Sequence, residues 1–579
     1  MKRIIIFCLC FFIFLSNCFS QYWSFQQPIY ADHWIYDALY RLNAEQKNAT
    51  VLDNAPLPVS ELYMNFLQID REALSDAGKQ LYDTTQGFFE EKKSLIDYNN
   101  VKFTTSVILN PAVAAKSNND MDWSYATSYT SEYKNYLANI SQNSIYHTGL
   151  ATVPLFFDFN DTFCFDFESY LGAMPFWGLS KDRVATNITT GKNGGEFLST
   201  PTRAFGSIGK AFDNWGINVQ MGMNGLEIGR SKTGSIIYNR AFQTDSFFQL
   251  NAYSPKIKYN LDFAQVDIQR YLYIHYFEVI PVNWLKIGVL EGTLVKGPIE
   301  LRYFNPLVTM HHYFGWRLYK MLGDPNAAKY YGETDYCAYL GISFDFNPCK
   351  YLRLYLMYAQ NELQEPLERG DDYHLSYPDS LGFQLGAEVT YPFMNGYLLG
   401  NFESVYTTPF CYLKQTSDAS LVRVRNNMNY PSFGLGQNSS WIGSQFGPDA
   451  FALNLSFGYE EMQKWKCELN YLFVAHGTNS LALFDKKVTI DGVEYEAYYP
   501  SSMYLQGTDP EITKAMRTYK LTGIIQYTNR IGLSGEYHFL DNLSVSGQFL
   551  YSFIFNHRAV ENQFAQGVEG TLSVKYTIF

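Results

Sequence analysis

The most constraining feature of this sequence is a long segment near its C-terminus that alternates between apolar and small polar residues. Residues 542–555 read NLSVSGQFLYSFIF, with apolar side chains at most odd positions from Leu543 to Phe555 and mainly serine and glutamine between them. Successive side chains of a strand point to opposite faces, so one face of this segment is apolar and the other is polar. Fourteen residues is about twice the usual length of a strand in a soluble protein. A long strand with one apolar face is typical of barrels that cross a membrane.

The same alternation recurs from about residue 101 onward, and turn residues separate the segments. Further clear examples are 161–169, 381–391, 451–459 and 567–579. Short turns are predicted at 159–163, 346–351, 393–397, 527–531 and 539–543, and long polar connections at 361–380, 408–450 and 476–516. Short connections at one end and long ones at the other are typical of an up-and-down outer-membrane barrel. In that architecture the rings and aliphatic side chains face lipid, and the small polar side chains face a polar lumen.

The fold class that follows is all-β, a large closed antiparallel transmembrane β-barrel of about 16–18 strands. In hydrocarbon every backbone N–H and C=O must be paired, which only a sheet without edges achieves for strands. A soluble β-sandwich or solenoid is the alternative, but it needs a second apolar layer, and no fixed-period repeat is visible. The C-terminal Phe579 resembles the terminal aromatic residue that the barrel assembly machinery recognises. Tyr576, however, lies three positions before it instead of two.

The first hundred residues have a different pattern from the rest. Residues 1–20 combine Lys2 and Arg3 with an apolar run and small closing residues, which predicts a cleaved signal peptide and export. Lipidation at Cys18 is the alternative. Residues 21–100 contain three stretches with apolar residues at helical spacing, the second with Ser60 as its predicted N-cap. The predicted domains are therefore a signal peptide (1–20), a small helical bundle acting as a plug (21–100) and an outer-membrane barrel (101–579).

Composition excludes several classes of function. Charged residues make up 17% of the chain and aromatic residues another 17%, whereas average globular proteins carry about 25% charge. The surface is thus rich in rings, as contact with outer-membrane lipid requires. A net charge of −12 argues against nucleic acid as a partner. The five cysteines after residue 20 are widely spaced without a C-x-x-C pair, so no metal site, cofactor or disulfide framework is predicted.

A central stretch resembles the Wzi family of outer-membrane capsule-assembly proteins. The family pattern has a Trp-Gly, a glycine-rich strand pair with an asparagine-containing turn, an acidic Gly segment and an Asn-Pro. The matching residues here are Trp215-Gly216, Gly229, Gly234, Asn239, Glu291-Gly292 and Asn305-Pro306. The helical front end with PLPVSEL is also similar. The resemblance implies a barrel plugged by the helical bundle that works as a surface lectin. Its implied partner is capsular or related surface polysaccharide, and it implies no bond-making chemistry.

Nine residues are candidates for polysaccharide binding, some because they lie at or near the family pattern and some because of a loop rich in arginine, asparagine and aromatic residues. They are Trp215, Arg230, Asn239, Arg240, Arg423, Arg425, Asn426, Tyr430 and Trp441. Rings stack on sugar C–H faces, while guanidinium groups bind carboxylates through paired hydrogen bonds. Plainer alternatives remain open. Trp215 suits an interfacial aromatic belt, the first two arginines could pair with lumenal carboxylates such as Glu227, and 408–450 could be an ordinary polar loop.

Two other function classes compete with the lectin. An outer-membrane porin or gated channel for small hydrophilic solutes would have a similar size, and an open lumen would distinguish it. A hydrolase has no support, because the sequence contains no G-x-S-x-G, and the nearest match, GLSGE at 532–536, lies in a predicted membrane strand. The adjacent His311 and His312 also lack H-E-x-x-H spacing.

Overall fold

Eighteen antiparallel strands close into one barrel, and this confirms the predicted fold class. In the computed structural model the described residues are 24–90, 95–118, 150–171, 184–186, 203–240, 245–305, 336–363, 378–414, 418–427, 436–479, 487–490, 493–496 and 519–578. The terminal Phe579 and the predicted signal peptide lie outside these residues.

The barrel strands are numbered in chain order, and the first of them is interrupted twice. They are β1 (Val101–Thr105, Val107–Leu109 and Ala112–Lys116), β2 (Ala151–Phe159), β3 (Phe163–Leu171), β4 (Arg203–Ala211), β5 (Gly216–Asn224), β6 (Asp245–Tyr253), β7 (Ile257–Asp267), β8 (Arg270–Val282), β9 (Leu285–Lys296), β10 (Tyr336–Cys349), β11 (Leu352–Glu362), β12 (Ser380–Phe393), β13 (Gly396–Thr407), β14 (Ala450–Glu461), β15 (Trp465–His476), β16 (Gln526–Leu540), β17 (Leu543–Phe555) and β18 (Phe564–Ile578).

The barrel closes where β18 pairs with β1. Tyr576 lies opposite Leu109, and the same register continues to Glu569 opposite Lys116. The break in β1 falls at Pro111, which has no N–H to donate, but its carbonyl still accepts a hydrogen bond from the Val574 N–H at 3.0 Å. The pairing therefore continues around the barrel, as a strand wall in hydrocarbon requires.

The two ends of the barrel differ in their connections. At the short-turn end, two or three residues join β2 to β3 and β8 to β9, and the other hairpins at this end are similarly tight. At the long-loop end most connections exceed ten residues.

The predicted turn at 527–531 is wrong, because these residues lie within β16. Arg530 is buried, and Asn529 accepts a hydrogen bond from the Tyr471 hydroxyl at 2.8 Å, so the neighbouring strand supplies a partner for one of the polar residues that suggested a turn.

The alternation between the two faces of the wall is confirmed on the strand that first suggested it. Phe549 and Phe555 of β17 are about half exposed, at 53% and 48%, whereas Ser552 and Ile554 are buried. The outer face carries rings and aliphatic side chains, and the inner face carries small or polar ones together with some aliphatics.

Three helices lie inside the barrel near the short-turn end. They are α1 (Trp34–Glu45), α2 (Val59–Phe66) and α3 (Asp76–Glu90). Residues 24–90, called the N-terminal body below, pack around a common apolar core. The predicted cap of α2 is wrong. Pro58 precedes the helix, and the Ser60 hydroxyl instead contacts the Tyr253 hydroxyl of the wall at 2.5 Å. No helix among the described residues is long and apolar enough to cross a membrane.

Two connections of the long-loop end fold back into the lumen, and their described parts within 225–240 and 408–449 are called the inner loops below. The first turns at Gly229 and Gly234, whose φ angles of 90° and 89° would strain any side-chain-bearing residue. Both inner loops share one apolar cluster with the wall. Members from the inner loops are Leu226, Ile228, Ile236, Ile237, Tyr238, Phe410, Cys411, Tyr412, Leu413, Leu421, Val422, Trp441, Ile442 and Phe446. The lumen is therefore not polar throughout, in contrast to the expectation from the sequence.

Candidate functional site

A belt of alternating charges crosses six consecutive strands on the lumenal face of the wall. From β7 to β12 its members are Lys258, Glu278, Lys286, Asp345, Arg353 and Glu388. The register places opposite charges face to face at Lys258 and Glu278, at Lys286 and Asp345, and at Arg353 and Glu388. The first five members are buried.

Ion pairs connect neighbouring members of this charge belt. The Lys286 ammonium lies 2.5 Å from the Asp345 carboxylate and 3.5 Å from that of Glu278. Arg353 contacts both Asp345 and Glu388, the latter at 3.0 Å. Buried charges are stable only when they are paired, so the members depend on one another.

The N-terminal body adds its own charges to this wall. Glu61 lies 2.8 Å from the Lys258 ammonium, and Asp53 contacts Lys286. Outside the belt, Arg41 pairs with Glu460 of β14 at 2.6 Å. These contacts join the body to strands β7, β9 and β14 of the wall.

A further ion pair joins the N-terminal body to the first inner loop. The Arg230 guanidinium lies 3.0 Å from Asp37 and 2.8 Å from Glu388. It also stacks over the Tyr40 ring at 4.1 Å. Burial alone raises the pKa of the Asp37 carboxyl, but the charges of Arg230 and Arg41 outweigh that effect and lower the pKa to about 2.

At the other side of the first inner loop, Arg240 lies 3.1 Å from the Glu227 carboxylate. For Arg230 and Arg240 the structure thus shows the plainer alternative, in which lumenal carboxylates pair with the guanidinium groups. Both side chains are already engaged within the chain.

Three more of the candidate residues meet in one buried junction between the two inner loops. Arg423 donates hydrogen bonds to the Asn239 backbone carbonyl and to its side-chain oxygen, the latter at 3.2 Å. Asn239 also donates to the Trp441 carbonyl at 3.4 Å. The Arg423 guanidinium lies 4.8 Å from the Tyr238 ring centre, and the Trp441 ring stacks on Tyr412. Arg423 and Trp441 are 2% and 0% exposed, so they hold the inner loops together.

A β-hairpin extends from this junction. Its strands, Val422–Asn427 and Gly436–Trp441, pair so that Arg425 lies opposite Asn438 and Asn426 opposite Gln437. The hairpin has a buried base at Val422 and Trp441. Tyr430 falls between the two strands, outside the described residues.

Trp215 lies far from these residues, at the opposite end of the barrel. It belongs to the short turn between β4 and β5, is 51% exposed and stacks on Phe212 with ring centres 4.3 Å apart. This is the position that an interfacial aromatic belt would occupy. The structure therefore does not bring Trp215 together with the hairpin.

Sequence reasoning missed the charge belt, although a signal for it was present. Its charged residues occupy inward positions of strands that otherwise alternate, as Glu388 does between the outward Ala387 and Val389. Which charges would face one another depends on the strand register, which the sequence does not specify.

Metal-ligating and thiol side chains also occur across the part of the chain that the structure describes. Within the described ranges, no group of three or more His, Cys, Asp or Glu residues is arranged to hold a metal ion. The five described cysteines are free thiols, and three of them are buried.

Comparison with known proteins places the fold. No protein-family model matches the chain, and no curated protein matches its sequence. The structure is similar to that of Wzi from Escherichia coli, with a TM-score of 0.52, 10% identity and coverage of 94% of this chain and 98% of that chain. Wzi is described as an outer-membrane protein involved in group 1 capsule assembly and as a carbohydrate-binding β-barrel.

Two other similar structures are Pseudomonas aeruginosa OprD and Acinetobacter baumannii OccAB4. Both have a TM-score of 0.38, with 9% and 8% identity, and cover 82% of this chain and 94% and 97% of their own. At such identities similarity extends to the fold alone. The chain has the fold of an outer-membrane β-barrel.

Proposed function

We propose that this protein is a non-enzymatic outer-membrane anchor that binds capsular or related surface polysaccharide at the long-loop end of its barrel. The observation that carries the proposal is the occupied lumen. The wall from β6 to β15 is covered by the N-terminal body and by the inner loops, which share a buried apolar cluster with it. A diffusion channel needs a continuous aqueous lumen, and this packing disfavours one along these strands.

The hairpin of the second inner loop is the proposed binding element. Its base is buried among the inner loops, its first strand carries Arg425 and Asn426, and Tyr430 follows that strand in the sequence. An arginine, an amide and an aromatic ring supply the chemistry that recognises an acidic sugar, since the guanidinium binds carboxylate and the ring stacks on C–H groups. The base of the hairpin is held by the junction of Trp441, Arg423 and Asn239, and these residues are not proposed as ligand contacts.

The similarity to Wzi agrees with this role at the level of the fold. Wzi is described as carbohydrate-binding, and this chain covers nearly all of its length. The assignment of polysaccharide binding to this chain is our proposal.

Binding to a panel of purified acidic and neutral polysaccharides tests the proposal. The full-length protein in lipid nanodiscs is compared with the triple variant Arg425→Ala, Asn426→Ala, Tyr430→Ala. We expect the wild type to bind at least one acidic polysaccharide and the triple variant to lose binding by about tenfold or more, the equivalent of about one charge-assisted contact.

The matched control is Arg558→Ala, which removes an exposed arginine from the turn between β17 and β18 at the same end. It should bind like the wild type. Absence of polysaccharide binding by the wild type, or equal binding by the triple variant, would contradict the proposed function.

A further inference from the structure

The N-terminal body has an apolar core that is almost entirely its own. The wall contributes one fully buried member, Tyr397, and two partly buried side chains, Leu399 and Met462. The remaining buried apolar side chains come from the body itself: Ile29, Ile35, Tyr36, Ala38, Leu39, Leu42, Leu52, Ala55, Leu57, Val59, Leu62, Phe66, Ile69, Leu74, Ala77, Leu81, Phe88 and Phe89. Separation of the body from the wall would therefore break few of the apolar contacts within the core. Outside this core, the Tyr30 ring of the body lies 5.8 Å from that of Phe205 on β4.

The contact between the N-terminal body and the wall of β5–β9 is polar instead. Glu61 and Asp53 pair with wall lysines, and Asn54 donates a hydrogen bond to Asp262 at 3.0 Å. The Gln220 side chain donates to the Pro56 carbonyl at 2.9 Å. Water can replace each of these interactions when the two surfaces part, so each contributes only about 1–3 kcal/mol to docking.

The wall under the body also contains buried oxygen atoms that no described residue satisfies. They belong to adjoining strands β5, β6 and β7, and the side chains are all 0% exposed: Asn218, Gln220, Asn251, Asn260 and Asp262. The side-chain nitrogen of Asn260 is unpaired as well. Buried polar groups without partners disfavour the state that buries them. If the body moved away, water could bond these oxygen atoms and could replace the hydrogen bonds that Asn218 and Asn251 donate to Gln26 and Glu61 of the body.

The contact between the inner loops and the wall is apolar, unlike that of the N-terminal body. Their apolar cluster includes many wall side chains, among them Phe247, Ala264 and Leu272. Ala264 lies on the same strand and the same lumenal face as Asn260, four residues farther toward the long-loop end. Separation here would expose apolar surface on both sides, which is strongly unfavourable.

We propose that the N-terminal body docks reversibly, leaving the wall of β5–β9 as an intact folded unit and opening a polar chamber toward the short-turn end, while the inner loops stay in place. Asn218, Asn260, Asp262 and Glu278 line this chamber. The lumen could then change its shape at the short-turn end while the inner loops and the hairpin keep their positions at the long-loop end.

Cysteine accessibility tests this proposal in the full-length protein. The five native cysteines after the signal sequence are replaced by serine, and a single cysteine is introduced as Asn260→Cys or, as the matched control, Ala264→Cys. Both positions are 0% exposed, and neither amide atom of Asn260 is hydrogen-bonded, so its replacement sacrifices no contact. The protein in lipid vesicles is treated with a charged maleimide at 0.1 M and 1 M NaCl.

Labelling of Asn260→Cys should be about tenfold faster than labelling of Ala264→Cys. Raising the salt shortens the screening length from about 10 Å to about 3 Å and weakens the partly exposed ion pair between Arg230 and Asp37, so labelling of Asn260→Cys should accelerate further at 1 M NaCl. Labelling of Ala264→Cys should stay slow at both salt concentrations. A rate at Asn260→Cys as slow as at Ala264→Cys would overturn the proposal, as would equal acceleration at both sites. Heat-dependent mobility in detergent gels confirms that both barrels are folded.

Discussion

Replacement of the outward Phe549 by arginine should destabilise the barrel by about 2–4 kcal/mol, the range for arginine at the midplane of a membrane barrel. Phe549 is the seventh of the thirteen residues of β17. Six residues at about 3.3 Å each separate it from either end, and with a tilt near 40° this places it about 15 Å from both ends in depth. Its side chain is 53% exposed, so the arginine would meet acyl chains.

Two variants of the same strand serve as controls. Val545→Arg faces the same way but lies only two residues from the short-turn end, so it should destabilise the barrel by about 0–1 kcal/mol. Ser546→Arg faces the lumen, where it loses the 2.9 Å contact with the Ser573 hydroxyl, a change of about 1 kcal/mol.

Reversible unfolding in urea, with the barrel refolded into lipid vesicles, measures all three free energies. The expected order of destabilisation is Phe549→Arg, then Ser546→Arg and Val545→Arg together. Equal destabilisation by Phe549→Arg and Ser546→Arg would refute the assignment of the two faces.

Three further perturbations have defined outcomes. Lys286→Met removes the cation shared by three buried carboxylates and should lower the free energy of unfolding by about 3–5 kcal/mol in the same urea assay. Trp441→Ala should lower it by about 3–5 kcal/mol through the cavity it leaves, and limited proteolysis should then cut the hairpin faster. Because the pKa of Asp37 is lowered to about 2, its contribution to docking is complete above the ordinary value of 3.8 and is lost as the pH falls toward 2. Cleavage of the N-terminal body by pepsin, which acts at acid pH, should accelerate in that pH window, and an Asp37→Asn substitution should reduce the acceleration.

The sequence was sufficient for the wall of the barrel. The orientation of Phe549 and Ser552 follows from a period of two, and the strand lengths follow from the distance across a bilayer. The helical stretches before residue 101 were also recognisable from their spacing. The polar residues at 527–531 led to the wrong prediction of a turn, because a turn and a strand with a lumenal arginine can have the same local composition.

The packing inside the barrel could not be predicted from the sequence. Arg423 and Trp441 have the chemistry of a sugar-binding loop, yet both are buried, because the loop turns inward and meets apolar wall positions such as Ala264. A loop that folds into the lumen and a loop that extends outward can have the same composition. The arrangement of the charge belt likewise depends on strand register and on the position of the N-terminal body.

Planar-bilayer conductance of the full-length protein tests the central claim, an occupied barrel that anchors polysaccharide instead of passing solutes. An occupied lumen predicts no steady conductance from the wild type in moderate salt, although the protein inserts and shows heat-dependent mobility in detergent gels. Large, steady single-channel conductance from the folded wild type would contradict it.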